Sequence, residues 1–349
     1  MQRRAGKIFK RALLALLVII TSLVIVYWEL VSYGFSQGKG QLNIIWNARP
    51  VEEVLIDPAF PDSLKSKLNL IKQVRKYAID SLGLKDTENY KTLYDQRGEE
   101  IMWVVTACEP YRFKPKEWEF PILGAVPYKG FFNKERAIAL RNELDKEGWD
   151  TSIRNPGGWS TLGWFTDPIL SKMLERTEGD LANLIIHEMA HSTIFVKDSI
   201  NFNENMATFI GDRGAEFFLL SAYGHHSKEY TTYIQEDVDF TRYNDHMLHG
   251  SELLDSIYAS MKENDPIEKK KKLKIETIQK IVVSLDTLTL LLHQKPSERF
   301  KEILPNNTYF MNMKRYQSKQ DIFRNELNHN FHGDLKAYIG YLSEKHPFL

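Results

Sequence analysis

Leu184-Ile185-Ile186-His187-Glu188-Met189-Ala190-His191 is the stretch on which the reading of this 349-residue chain turns. Three ionisable side chains interrupt a run that is otherwise apolar, and burying such groups is costly unless they are paired or hold a metal. Thr177 and Asp180, just upstream, have the T-x-x-D spacing of a capped helix start, so the run reads as a helix over Asp180 to Val196. Residues four apart share a helix face. The His187 and His191 imidazoles can therefore converge on one ion, and Glu188, one position further round, can touch a water bound to it.

A catalytic zinc site takes three protein ligands and keeps one position open, so a third ligand should come from another element. Lys197 to Phe202 reads as a polar turn and Asn203 as the N-cap of a second helix running from Glu204 to Tyr223. Ala207, Gly211 and Ala215 form a small-residue stripe that would let this helix approach the first. Glu204 is then the candidate third ligand, giving two His and one Glu for one Zn²⁺ per chain. Asp212 and Asp198 are candidates to accept the second ring N–H of a ligating histidine. Tyr223, His225 and His226, just past the second helix, are candidate donors to an oxyanion. The pairs His246/His249 and His329/His332 have no accompanying acid motif and read as surface polar residues.

Composition limits the alternatives. Lysine plus arginine and aspartate plus glutamate stand at 46 each, so there is no global field to hold a polyanion, and nucleic acid is not expected as a partner. The single cysteine, Cys108, cannot form an intramolecular disulfide or a thiolate cluster, which leaves His and carboxylates as metal ligands. With 43% apolar and 26% charged residues the chain has ordinary globular composition.

At the N-terminus, Arg3, Arg4, Lys7, Lys10 and Arg11 form a basic segment (residues 1–11) before an apolar stretch (residues 12–31) long enough to span a bilayer. No small-residue cleavage site follows, so the stretch reads as an uncleaved anchor, with the basic flank cytoplasmic and the rest of the chain outside. Ser32 to Gly40 reads as a short juxtamembrane linker, and Leu42 to Trp46 as the first ordered segment. Residues 32–167 read as the sheet-rich part. It has a helix over Asp62 to Leu84 stopped near Gly83, strands at Ile101 to Ala107, Phe120 to Phe132 and Thr151 to Arg154, and a helix from Asn133 to Gly148. These form a small mixed sheet with a packed helix. Residues 168–349 read as a helical bundle, with helices at Ile169 to Arg176, on to Met261, Pro266 to His293 and Glu298 to Tyr316. The Lys269 to Lys272 run reads as a solvated helix face. Ser160 to Phe165 reads as an exposed edge strand able to pair with an extended peptide.

Several segments beyond the motif carry a family likeness. Phe120-Pro121-Ile122-Leu123-Gly124, Tyr128-Lys129-Gly130-Phe131-Phe132, Ser160 to Pro168, His187 to Ser192 and Phe202-Asn203-Glu204 resemble, in order, the signatures of bacterial aminopeptidases of unknown physiological substrate. That family in turn resembles the gluzincin branch of H-E-x-x-H metallopeptidases. The resemblance runs from about Gly34 to the C-terminal helices. It implies an α+β, zincin-like fold and a zinc-dependent hydrolase of the cell envelope, with His187, His191 and Glu204 as ligands and Glu188 as catalytic residue. One departure is the N-terminus, where a spanning segment replaces the acylated cysteine that such proteins often carry. Three classes of function follow: a membrane-anchored zinc peptidase acting on peptides, a zinc hydrolase of a non-peptide envelope amide or ester, and a metal-stabilised envelope protein without turnover. Glu188 weighs against the third, because a structural site needs no base.

Overall fold

The computed structural model describes residues 2–120, 124–156, 166–197, 199–292 and 295–347, with residues 2–8 by backbone alone. The chain divides into two units, Met1–Asn47 and Ala48–Leu349. The first is a pair of helices, α1 (Gln2–Val26) and α2 (Trp28–Asn47). Within α1, Phe9–Val26 is long and apolar enough to cross a membrane. The linker expected at 32–40 is instead part of α2, as is the segment expected to begin the fold at Leu42. The reason is that glycine in a helix costs only about 1 kcal/mol, and no proline interrupts the hydrogen-bond ladder before Pro50.

The second unit begins with β1 (Arg49–Pro50), α3 (Val51–Ile56) and α4 (Asp62–Asp80). Gly83 follows α4 with φ +75, the left-handed stop its position suggests. Next come β2 (Thr92–Tyr94), β3 (Trp103–Cys108), β4 (Trp118–Phe120), β5 (Gly124–Val126), β6 (Lys129–Phe131), α5 (Lys134–Lys146), β7 (Asp150–Arg154) and β8 (Ile169–Leu170). The single mixed sheet expected here is three small sheets. One is β1-β2-β8, with β2 antiparallel to β1 and parallel to β8; another is the antiparallel β6-β3-β7; the last is the β4-β5 hairpin. Helix α5 is capped by Asn133, whose side chain accepts from the Arg136 N–H, and it packs on β3 and β7.

From residue 171 the described chain is helical apart from its connections, as the bundle reading requires: α6 (Glu178–His191), α7 (Ile200–Tyr223), α8 (Lys228–Ser260), α9 (Ile267–Ser284), α10 (Asn307–Gln317), α11 (Gln320–Phe331) and α12 (Leu335–Lys345). Boundaries shift where local chemistry competes. Residues 169–176 are not one helix, because Ile169 and Leu170 pair with β2 before a 3₁₀ turn over Ser171–Glu175. Helix α6 stops at His191 rather than Val196, where the Ser192 and Thr193 hydroxyls donate back to the Glu188 and Met189 carbonyls. Helix α9 gives way to a 3₁₀ turn at Leu285–Thr287, and α10 starts only at Asn307, capped by Asn306 after Pro305 bars helix at Leu304. Lys269, Lys271 and Lys272 are exposed on α9, as a solvated face requires.

Helices α6 and α7 form an antiparallel hairpin at the centre of the unit, with α4 against α6, and α8 and α10 against α7. Leu181, Ala182, Ile185, Ile186, Met189 and Ala190 are buried along α6. On α7, Ala207, Gly211, Gly214 and Ala215 are buried among them. A methyl group built at Gly211 would lie 2.9 Å from Asn183 Oδ1 and 3.1 Å from His187 Cβ, and one at Gly214 would lie 2.9 Å from Ile186 Cγ2. Gly211→Val should therefore force the hairpin apart, costing about 1–3 kcal/mol of stability. Denaturant unfolding monitored by circular dichroism checks this, and a midpoint equal to that of the parent chain would show that the close approach is not needed.

Candidate metal centre

His187 and His191 lie one turn apart near the C-terminal end of α6, and Glu204 lies in the second turn of α7. Their ligand atoms meet: Nε2 to Nε2 is 3.1 Å, and Glu204 Oε2 is 3.6 Å from His187 Nε2 and 3.5 Å from His191 Nε2. Three donors at about 2.0–2.1 Å from a tetrahedral ion would stand about 3.3–3.4 Å apart. The triangle fits that shape, and among the described residues this His-His-Glu group is the one cluster of such side chains that could hold a metal ion.

Val196, in the connection between α6 and α7, aims Glu204 through its neighbour. Asn203 is inside the helix rather than at its cap, which is Ser199. Its buried side chain closes the loop instead, accepting from the Val196 N–H at 2.9 Å and donating to the Val196 carbonyl at 2.8 Å. On the other side of Glu204, Asn205 is fully buried, donates to the Arg315 carbonyl and accepts from the Lys319 N–H at 2.9 Å. Glu204 is thus flanked by two asparagines that fix α7 to its own loop and to the end of α10.

Electrostatics inside the triangle are strong. Burial works to raise the Glu204 carboxyl, but the two imidazoles override it and hold the group far below the usual carboxylate range. Burial likewise works to lower His191, and the Glu204 carboxylate reverses this to a net rise. Asp212, one helix turn towards the start of α6, is hydrogen-bonded by Asn183 Nδ2 at 2.6 Å rather than by a ring nitrogen, and burial pushes it up to about 7. Asp198, the other candidate partner, lies outside the described residues.

A cavity of about 1240 Å³ reaches the triangle at His187. One face of each of four helices walls it: Asn183, His187 and Glu188 from α6, Thr208 and Asp212 from α7, Tyr233 to Tyr243 from α8, and Tyr309 to Gln317 from α10. Glu188 lies on this wall beside His187, as its place on the helix requires. Tyr223, His225 and His226 do not approach. Tyr223 is 40% exposed at the far end of α7, about 28 Å along the helix axis from Glu204, and His225 packs on Tyr230. The remaining histidine pairs are accounted for locally: His246 bonds the Ile281 carbonyl, His249 the Asp245 carbonyl and His329 the Asn325 carbonyl, while His332 ends α11 with φ +53. Burial pushes the Cys108 thiol up to about 12, so it supplies no thiolate. The expected edge strand Ser160 to Phe165 lies outside the described residues.

Four residues beside the triangle were not singled out by sequence spacing. Tyr316 lines the cavity, its phenol raised by burial and by Glu204, with the Arg154 guanidinium against its hydroxyl. Tyr128, half-buried, and Arg315, buried, lie in the same place, and each feels the Glu204 carboxylate. They come from the β5–β6 loop, β7 and α10, and no periodicity links such distant positions. A signal existed only for Tyr128, which falls in one of the family-like segments.

A family model described as "Putative aminopeptidase" matches residues 32–344, well over half of the chain. No curated protein and no solved structure matches it.

The triangle implies a pH profile for the metal-free chain. The His191 contribution is fully present below the ordinary histidine value of 6.5 and is lost as pH rises through its raised value. The Glu204 contribution is present above the ordinary glutamate value of 4.5 and is lost as pH falls towards its depressed one. Chelator-treated protein should therefore be most stable between about pH 4.5 and 6.5, with stability falling as the pH is raised past that window. Added zinc should protect most on the alkaline side, where the ligands need lose no proton. Thermal melts across pH in chelator and in zinc decide this, and a metal-free melting point that climbs through pH 7 would contradict it.

Proposed function

The chain belongs to the aminopeptidase family whose model spans it, and from that premise we propose that it is a membrane-anchored, zinc-dependent peptidase of the zincin-like, gluzincin type. The single observation that carries the reading is the His187–His191–Glu204 triangle, with edges of 3.1 to 3.6 Å and with His187 on the wall of a large cavity. These three residues would hold one Zn²⁺, which when bound supplies a Lewis acid for the scissile carbonyl and an acidified water.

Glu188, on the same wall, takes a proton from the attacking water and passes it to the leaving amine. Tyr316, with Arg154 against its hydroxyl, is the donor placed to meet negative charge developing on the carbonyl oxygen, the role for which Tyr223, His225 and His226 are too distant. The four helix faces around the site replace bulk water with fixed dipoles, which strengthens each of these interactions. Phe9–Val26 anchors the chain, with the basic residues before it cytoplasmic and the catalytic unit outside.

Neighbouring acids should separate by role. Glu188→Gln keeps the shape and the ligands but accepts no proton, so zinc content should stay at one per chain while turnover falls by about 10²–10⁴-fold. Glu204→Gln should lose zinc first, with excess metal restoring part of the activity. Metal analysis beside a peptide-library cleavage assay reads both. A fully active Glu188→Gln would sink the mechanism, and an unchanged zinc content after replacing both histidines with alanine would sink the metal site.

For the anchor, a reporter active only in the cytoplasm, fused after Leu349, should be silent, and the same reporter placed before Met1 should be active. The reverse pattern would overturn the orientation.

A further inference from the structure

Half-buried Arg154 and buried Arg315 depart from the rule that a cation taken out of water has a counter-charge. Arg315 is 5% exposed and its Nε has no hydrogen-bond partner. Arg154, the last residue of β7, lines the cavity, and its Nε is likewise buried and without a partner. Among the described residues neither side chain forms an ion pair, and each guanidinium lies in the field of the other. The carboxylate whose field reaches Arg315 and Tyr316 is Glu204. On the reading above, on which this inference rests, that carboxylate is committed to zinc. Two guanidiniums then stand together beside the reacting centre without an ion-pair partner among the described residues.

We propose that Arg154, backed by Arg315 and with the Tyr316 hydroxyl beside it, binds a carboxylate of the substrate, so that the preferred substrates are short peptides carrying a free carboxylate close to the scissile bond. A guanidinium presents paired N–H donors at the spacing of two carboxylate oxygens, and one half-withdrawn from water gains more from each bond than one at the open surface. Arg154 touches the cavity and meets the anion directly, whereas Arg315 acts through its charge. Arg154 and Tyr316 line the same cavity as His187 and Glu188, so a carboxylate bound there shares the cavity with the metal triangle's exposed edge. An extended residue spans about 3.4 Å, so a short peptide can reach from the one to the other. The carboxylate is the C-terminus of the peptide or an acidic side chain near it.

The test is a binding measurement that needs no turnover. Full-length, detergent-solubilised Glu188→Gln protein loaded with zinc is titrated calorimetrically with Ala-Ala-Ala, with Ala-Ala-Ala amide, with Ala-Glu-Ala amide and with inorganic phosphate. The free acid should bind about 10- to 100-fold more tightly than its amide. Adding Arg154→Gln should abolish that ratio and Arg154→Lys should keep part of it, with melting points checked to show that both remain folded. Ala-Glu-Ala amide binding as tightly as the free acid would assign the subsite to a side-chain carboxylate, and weak binding of it would assign the C-terminus. Equal affinity for acid and amide, no binding of either, or a preference that survives Arg154→Gln overturns the proposal. So does phosphate binding that depends on Arg154 without any preference for acid over amide. The hydrolase reading is judged separately, by turnover of these peptides by the parent chain, so either can fail without the other.

Discussion

Two helices cannot share a metal site unless their backbones come close, and in this chain that closeness depends on the absence of a side chain at Gly211. Its Cα faces the turn of α6 that carries Asn183 and His187, with no room for a further carbon. The histidines and Glu204 therefore meet because α7 lies against α6 along a buried line of Ala207, Gly211, Gly214 and Ala215. The apolar residues of α6 then pack on both sides of that line, and α4, α8 and α10 pack around the hairpin. Every distance in the triangle follows from this contact.

Close approach sets the spacing but not the rotation of α7, and polar bonds supply that. Asn203 ties the helix back to Val196 in the preceding loop, and Asn205 ties it forward to Arg315 and Lys319. An asparagine with donor and acceptor both used is a stiff connector, because any turn of the helix would leave buried polar groups without partners. The first turns of a helix normally fray. Here the second turn is held from both sides, and it is the turn that bears Glu204.

Much of this was legible from spacing alone. The i, i+4 histidines, the small-residue stripe and the two-helix arrangement are all local patterns, and local patterns survive folding. Asn203 shows the limit: as a residue type it suits a helix cap, yet the structure uses it three residues inside the helix to close a loop onto Val196, seven residues earlier, which no propensity at position 203 announces. Ile169 and Leu170 show another, since their pairing with β2 could not be read from their own segment. The three sheets in place of one have the same cause, because which strand pairs with which is a long-range choice. Tyr316, Arg154 and Arg315 reach the site from different elements, and no one-dimensional period connects them. The donors proposed at the end of α7 failed for a simple reason, that a helix of that length carries its two ends far apart.

The bonds from Asn205 to the end of α10 also say where this chain can tolerate change in length. The turn between α7 and α8 and that between α8 and α9 join helices at positions remote from the triangle, and a residue gained or lost there would be absorbed in solvent. A residue added between Tyr316 and Lys319 has no such outlet. It would separate the Arg315 carbonyl from the Lys319 N–H, the two groups that one buried side chain must reach at once. The register between α10 and α7 would slip, carrying the tyrosine away from the glutamate. Among natural variants of this chain, the short span from Arg315 to Lys319 should therefore be constant in length even where its residues differ.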